Sequence, residues 1–433
     1  MTQRNHLIDL ARALSVFVVV TFHCLLYRIV VVDGAQAMVP WAPLPHAAWW
    51  TASWFIMIIP LFFIAGGFAH ALVVDRMRAQ GRGYTYYLTS RARRLVGPLL
   101  VFAGFFTLLG TAAAWLWDAG ASVALSVQFA QLLWFIATYL VIVGVAPLMV
   151  TLHDRFGVLP MLALTVLAVA VDAWAMASGT NDLRYLNLVT VWPLCHQLGI
   201  AYHRGWFRRG RAWGPWLALV LSAATIPVLI AGFGYPGSSI GLGDIPVANV
   251  LPPTAAMIVL GFGQTALLGL LERAGVAATL PPRVERGLGV ANALAVTTYL
   301  WHIPCIVIAA VALYAVTVAA PALTSVLLSQ VAVAVLTWAI IVAVVPLIGR
   351  AEYALVPRLG ETPGRGAIGA YLLLTAGTAL IWLNGMVLHP LRPWSAVGLV
   401  LLGVGMGWLR RAASAPAAAS GPSWGRAPPP SAA

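Results

Sequence analysis

The chain has 433 residues, 61% of them hydrophobic and only 9% charged, with a mean hydropathy of +0.90. A soluble domain carries roughly a quarter charged residues, so this composition excludes an ordinary soluble globule and, for most of the chain, disorder or a coiled coil. The formal net charge of +13 rests on arginine alone, since no lysine occurs. The arginines fall in short clusters between apolar stretches, which the positive-inside rule explains better than nucleic-acid binding does.

A membrane-spanning helix needs about 20 apolar residues. On that measure, spans are predicted in chain order near 8–31, 47–73, 95–117, 128–151, 156–177, 185–203, 213–233, 249–271, 288–314, 322–348, 367–388 and 394–409. The uncharged stretch 287–349 is long enough for two of them, with Pro321 at the turn. The expected fold class is therefore all-α, a polytopic membrane helix bundle. A ten-helix core takes residues 1–350 and two additional transmembrane helices take 351–411. Residues 412–433, rich in Ala, Pro, Ser and Gly, are expected to form a disordered cytoplasmic tail.

Orientation follows from the arginines. With the amino terminus in the cytoplasm, all of them except Arg28, Arg184 and Arg392 fall on the inner side. Both termini are then cytoplasmic, as are the 74–95 and 204–212 loops, and the expected location is a bacterial inner (plasma) membrane. Cys24, Cys195 and Cys305 lie in apolar segments without metal-ligand spacing, so neither a disulfide framework nor a metal site is expected. Serine-hydrolase elbow, Walker and zinc-protease motifs are absent from the sequence.

Ionisable groups inside a span are costly and point to function. Ten residues separate Arg12 from His23. At 100° per residue that step is three turns plus about 20°, so the two share one helix face, with a rise of about 16 Å. Asp9 lies on much the same side and is placed to pair with Arg12. Two readings stand for His23: a base deep in a cavity, or an imidazole satisfied by a neighbouring carbonyl. Arg91 and Arg94, at i and i+3, suit a phosphate or pyrophosphate ligand, or set topology. His302, counted from about residue 288, lies about 20 Å into its span, beside Pro304. Trp134 and Tyr139 read as interfacial belt or as a stacking surface, Asp172 as a charge reaching the interface, and His196, Gln197 and Asn249 as weaker polar candidates.

Asp9-Leu-Ala-Arg12-(ten)-His23, Phe62-Phe63-Ile64-Ala65-Gly66-Gly67-Phe68, Arg91-Ala92-Arg93-Arg94-Leu95, Leu133-Trp134-Phe135 and Tyr299-Leu300-Trp301-His302 occur in the order seen in acyltransferase family 3. The chain resembles these integral-membrane O-acyltransferases over about residues 1–350, and the segment 187–204 is similar to an actinobacterial subgroup. Where the family often has Ser-Gly-Phe, this chain has Gly66-Gly67-Phe68 and lacks the hydroxyl. The resemblance implies transfer of an acyl group, acetyl or another short acyl, from acyl-CoA (acetyl-CoA in the first place) to a hydroxyl. The acceptor it implies is a sugar, cell-envelope glycan, lipid-linked sugar or natural product. It casts His23 as the catalytic histidine, Arg12, Arg91 and Arg94 as donor-site arginines, and Asp9, Trp134 and His302 as cavity residues, the last two being candidates for oxyanion stabilisation. The partners implied are acyl-CoA, the hydroxyl-bearing acceptor and membrane lipid, with no metal and no nucleic acid. The alternative from another class is a transporter or flippase, against which the sequence offers no internal repeat and few membrane carboxylates.

Overall fold

The computed structural model describes residues 5–32, 35–40, 46–241, 248–356, 360 and 363–413. Most of the expected tail, 414–433, lies outside these residues; its first two positions, Ala412 and Ala413, are buried helix. The first helix, α1, runs His6–Leu25 and stops six residues short of its expected end at 31. The β-branched run Ile29-Val30-Val31-Val32 suits an extended backbone, and Tyr27–Val32 (β1) pairs antiparallel with Ala35–Pro40 (β2). Every other element is helical: α2 His46–Ile56, α3 Ile59–Ala79, α4 Tyr84–Leu116, α5 Ala119–Ala130, α6 Leu133–Phe156 and α7 Leu159–Ser178. These are followed by α8 Val191–His203, α9 Trp213–Phe233, α10 Ala256–Arg273, α11 Pro282–Ala293, α12 Ala295–Ala319, α13 Thr324–Leu327, α14 Gln330–Leu355, α15 Gly366–Asn384 and α16 Pro393–Ala413.

Among the described residues, eleven helices are long and apolar enough to cross a membrane, where the sequence predicts twelve. The difference is the segment expected as a span over 185–203. It is a 3₁₀ stretch, Asn181–Val189, followed by the 13-residue α8, in which every residue from Val191 to Tyr202 is buried. A helix that is apolar all round lies inside a bundle, and α8 is enclosed by α3, α6, α7 and α10. Other boundaries move as well. Helix α4 begins at Tyr84, which puts Arg91 and Arg94 inside a 33-residue helix, and the predicted 47–73 span divides into α2 and α3. Those over 249–271 and 322–348 begin at 256 and 330, and the predicted 288–314 span breaks at Leu294 into the amphipathic α11 and the apolar α12.

Polar clamps fix the bundle at both faces. On the arginine-rich face, Arg204 binds both Asp75 oxygens at 2.6 and 2.9 Å and also Asp154 at 2.7 Å, and Arg78 reaches Asp154 at 2.8 Å. The ends of α3, α6 and α8 are thereby tied together. The hydrogen bonds that Arg204 donates to Asp75 and then Asp154 raise its guanidinium above the ordinary range, so the clamp stays charged. Arg208 forks onto Glu272 of α10, which also accepts from the Tyr202 hydroxyl. On the opposite face, Asp172 does not reach the interface as its position suggests; it is 1% exposed. Its oxygens accept from Asn187 Nδ2 at 3.0 Å, Tyr235 Oη at 2.9 Å and the Ala255 amide at 2.7 Å, so it pins the 3₁₀ stretch and two loops. Asn249 likewise serves the loops, donating to the carbonyls of Pro236 and Ser238 and accepting from Thr254.

The closest approach in the core is α3 on α8. A Cβ on Gly67 would lie 1.9 Å from the His196 carbonyl oxygen, and one on Gly199 would lie 1.9 Å from that of Ile64. Backbone contact of this kind needs small residues, and no side-chain movement relieves a clash with a carbonyl. Gly67→Ala or Gly199→Ala is therefore expected to cost about 3 kcal/mol or more and to cut the folded yield sharply. Gly104→Ala, where nothing lies within 4 Å, should leave it unchanged. Size-exclusion profiles and thermal melts in detergent check this; three equal melts would refute the backbone contact.

Candidate active site

Arg12, Ser15, Val16, Val19 and His23 lie at helical spacing and form one stripe along α1. The stripe faces an apolar cavity of about 20 Å³, roughly the room one water needs. Ser15, Val16 and Val19 line it from α1, Ile59 and Phe62 from α3, Phe135 and Ile136 from α6, and Ala295, Val296 and Tyr299 from α12. Its two hydroxyls are turned to backbone, Ser15 donating to Ala11 O at 2.7 Å and Tyr299 to Leu132 O at 2.9 Å. The wall is left without a polar group to offer.

Two imidazoles meet at one end of the stripe. The ring centroids of His23 and His302 are 4.9 Å apart, with their planes at 65°. His23 Nδ1 lies 2.7 Å from Val19 O, and His302 Nδ1 lies 2.5 Å from Tyr299 O. A carbonyl only accepts, so each neutral ring carries its proton on Nδ1 and keeps a lone pair on Nε2. His302 is fully buried and its Nε2 has no partner. Val19 and Tyr299 also line the cavity, so the same two residues shape the slot and orient the bases. His302 stands seven residues into α12, a rise of about 10 Å rather than the 20 Å counted from residue 288, because the chain breaks at Leu294.

Cations gather at the other end. Arg12 and Arg91 are within electrostatic range of each other, of Tyr139 and of His70, and Arg94, exposed one turn beyond Arg91, is within range of Arg91. The Arg91 Nε is buried without a hydrogen-bond partner, as is the hydroxyl of Tyr87 one turn before it on α4. Asp9 sits in the first turn of α1, where its backbone carbonyl accepts from Asn292 of α11 at 2.9 Å. Trp134 belongs to an aromatic wall, its ring 5.8 Å from Phe135 and 6.1 Å from Trp192.

Between the cations and the cavity lies a cluster that the sequence reading only partly names. His70 Nδ1 is 2.9 Å from His196 Nε2, and the Tyr139 hydroxyl is 3.4 Å from His70 Nε2. His70 is passed over in the sequence, although an imidazole two residues beyond Gly66-Gly67-Phe68 in an apolar span carries the same signal as His23. Its partner is set by the α3–α8 crossing, which no spacing in the sequence reveals. Gln197, beside His196, donates to Met149 O at 3.3 Å and ties α8 to α6. Among the described residues, no group of three or more His, Cys, Asp or Glu side chains is placed to hold a metal ion.

Comparison with curated proteins and with solved structures gives no match. A family model described as an acyltransferase domain matches residues 5–348, which take in α1 through most of α14 and every side chain of the stripe, the histidine pair and the arginine end. With most of its length so matched, the chain belongs to acyltransferase family 3, as a multi-pass membrane O-acyltransferase.

Proposed function

We propose that the protein moves a short acyl group, acetyl first among them, from cytosolic acyl-CoA to a hydroxyl of a sugar, cell-envelope glycan or natural product. The observation that carries this reading is the alignment of cations, narrow apolar slot and paired neutral imidazoles along one face of α1. The rise of about 16 Å from Arg12 to His23 is comparable to the reach of the arm that joins the CoA pyrophosphate to its sulfur. Guanidinium forks suit the phosphates. The apolar walls of the slot suit the last two methylenes and the sulfur, which ask for no hydrogen bond, once its side chains part to widen a space that now holds about one water.

In this reading His23 Nε2 takes the proton from the acceptor hydroxyl as its oxygen attacks the thioester carbonyl. The tetrahedral intermediate then collapses, the carbon–sulfur bond breaks, and the proton passes from His23 to the departing thiolate. The bond from Nδ1 to Val19 O holds the tautomer that this requires. His302 has the same tautomer, so as a neutral ring it offers Nε2 as an acceptor and no donor to an oxyanion. Its place beside His23 supports a part in receiving the acceptor hydroxyl instead of the oxyanion role expected from sequence. Arginine asymmetry supports a bacterial inner-membrane protein with the arginine-rich face and both termini in the cytoplasm, where acyl-CoA is found.

His23→Ala is expected to lower turnover per folded molecule by about 10²–10⁴-fold while leaving folded yield and CoA binding in place. Acyl transfer measured on purified protein, normalised to the folded fraction, tests this; near-normal turnover would end the general-base assignment. Arg91→Ala should raise the donor KM by about 10–100-fold, the worth of charge-assisted hydrogen bonds, with the acceptor KM little changed. Arg91→Lys recovers only part of that loss, because an ammonium has no fork. Because Arg94 is exposed, Arg94→Ala should cost less than Arg91→Ala. Steady-state kinetics with each substrate varied in turn give the answer, and an unchanged donor KM in both alanine variants would return these arginines to a topological role.

A further inference from the structure

We propose that Tyr139, His70 and His196 form a subsite that reads a secondary amide of the donor's pantetheine arm. This rests on the acyl-CoA reading and names the part of the donor that the buried polar cluster recognises. Four helices bring the cluster together, His70 from α3, Tyr87 from α4, Tyr139 from α6 and His196 from α8. It lies on the arginine side of the slot: Tyr139 is one turn beyond Phe135 on α6, and His70 two turns beyond Phe62 on α3.

The hydrogen bonding of the cluster is incomplete in a specific way. His70 uses both ring nitrogens, one toward His196 and one toward Tyr139. His196 is fully buried and its Nδ1 has no partner; Tyr87, also fully buried, has none for its hydroxyl. Buried polar atoms without partners are rare and costly, and hydrocarbon supplies no water to complete them. The Tyr139–His70–His196 chain has two registers when both rings are neutral. If Tyr139 donates into it, His70 donates to His196 and the outer nitrogen of His196 carries a proton to give. If His196 donates into it, His70 donates to the Tyr139 oxygen, whose own proton is free, and the outer His196 nitrogen accepts. In either register the two ends offer one donor and one acceptor. An amide needs one of each, whereas a phosphate needs only donors and an acyl chain needs neither.

Gly66 stands against the cluster and adds no side chain to it. A Cβ built on Gly66 would lie 3.3 Å from Tyr139 Cε2, 3.5 Å from its hydroxyl and 3.9 Å from His196 Cδ2. A methyl there would press on the Tyr139 ring, so glycine is what lets that ring lie beside His70 and His196. Pantetheine has two amides between its phosphate end and its thiol, and the column runs from cations through this cluster to the apolar slot in the same order.

The test uses the full-length protein in nanodiscs, with binding of CoA, of pantetheine (amides without phosphates) and of ADP (a pyrophosphate without amides) measured by calorimetry. Tyr139→Phe removes only the hydroxyl, and Gly66→Ala sets a methyl about 3.3 Å from the Tyr139 ring and displaces it. Each is expected to weaken CoA and pantetheine about two- to tenfold, the range of one neutral hydrogen bond, and to leave ADP unchanged. Arg91→Ala, as the control, should weaken ADP. CoA and pantetheine binding unaltered in both variants would overturn the amide subsite and leave the cluster as one that only holds water. ADP weakened in step with CoA would overturn it as well, as would a wild-type protein that binds ADP as tightly as CoA. Wild-type protein that binds neither CoA nor ADP would instead refute the acyl-CoA reading itself.

Discussion

Hydrocarbon offers nothing to an unpaired hydrogen-bonding group, so every polar atom carried into this bundle has to find its partner inside the protein. That constraint separates the polar residues that hold the fold from those open toward the site. Asp172 and Asn249 have their side chains fully engaged with neighbouring side chains and loop backbone, and they hold the fold. Unpartnered atoms occur at scattered places such as Ser222, Gln330 and Thr337, but His302, His196, Tyr87 and Arg91 each leave one within the same column, and His23 commits only Nδ1, to a carbonyl. These incomplete residues follow the stripe on α1, from the arginines to the imidazole pair. Their placement along one path, together with the cations and the slot, is what distinguishes them from the scattered ones.

The same constraint explains how the imidazoles are made ready for chemistry. Each gives one N–H to a carbonyl one turn back on its own helix, a bond available at almost any helical position. The tautomer is thus fixed without a carboxylate, and the rings stay neutral in a setting where a buried charge would be expensive. What is particular to this chain is that the carbonyls come from Val19 and Tyr299, which also wall the slot, so a shift in the slot moves both bases. The C-terminal pair α15 and α16 lies beyond the residues matched by the family yet braces the same helices. Tyr371 donates to Leu140 O at 2.5 Å on α6, next to Tyr139, and Ser126 on α5 caps the Met386 amide at 2.7 Å.

Much of this was legible in the sequence, and the illegible parts have physical reasons. Hydropathy locates the long spans because lipid-facing helices must be apolar, and helical periodicity places Arg12 under His23 because both lie on one unbroken helix. The pairing of His23 with His302 is hinted at by two deep imidazoles but needs α1 and α12 to be neighbours. Hydropathy misjudges 185–203, since a segment walled in by protein is released from the 20-residue rule and uses a 3₁₀ stretch and a short helix instead. It also carries α1 to residue 31, because β-branched apolar residues read the same in a span and in a hairpin. The His70–His196 contact is invisible from spacing: it depends on Gly67 and Gly199 letting two backbones touch. Several arginines that count equally toward topology turn out to be structural, Arg78, Arg204 and Arg208 being held in ion pairs.

On the proposed donor path the thiol end of CoA reaches the slot between Arg12 and His23. Trapping it there is the most direct measurement. With Cys24, Cys195 and Cys305 replaced by alanine, Val19→Cys places a single thiol on the slot wall, and Val141→Cys places one on the exposed side of α6 as a control. After incubation with CoA disulfide, intact-mass analysis should show CoA joined through a mixed disulfide at position 19, suppressed by excess acetyl-CoA, and little at 141. Capture at 141 alone, or capture at 19 that excess acetyl-CoA does not reduce, would contradict a donor path along this face of α1.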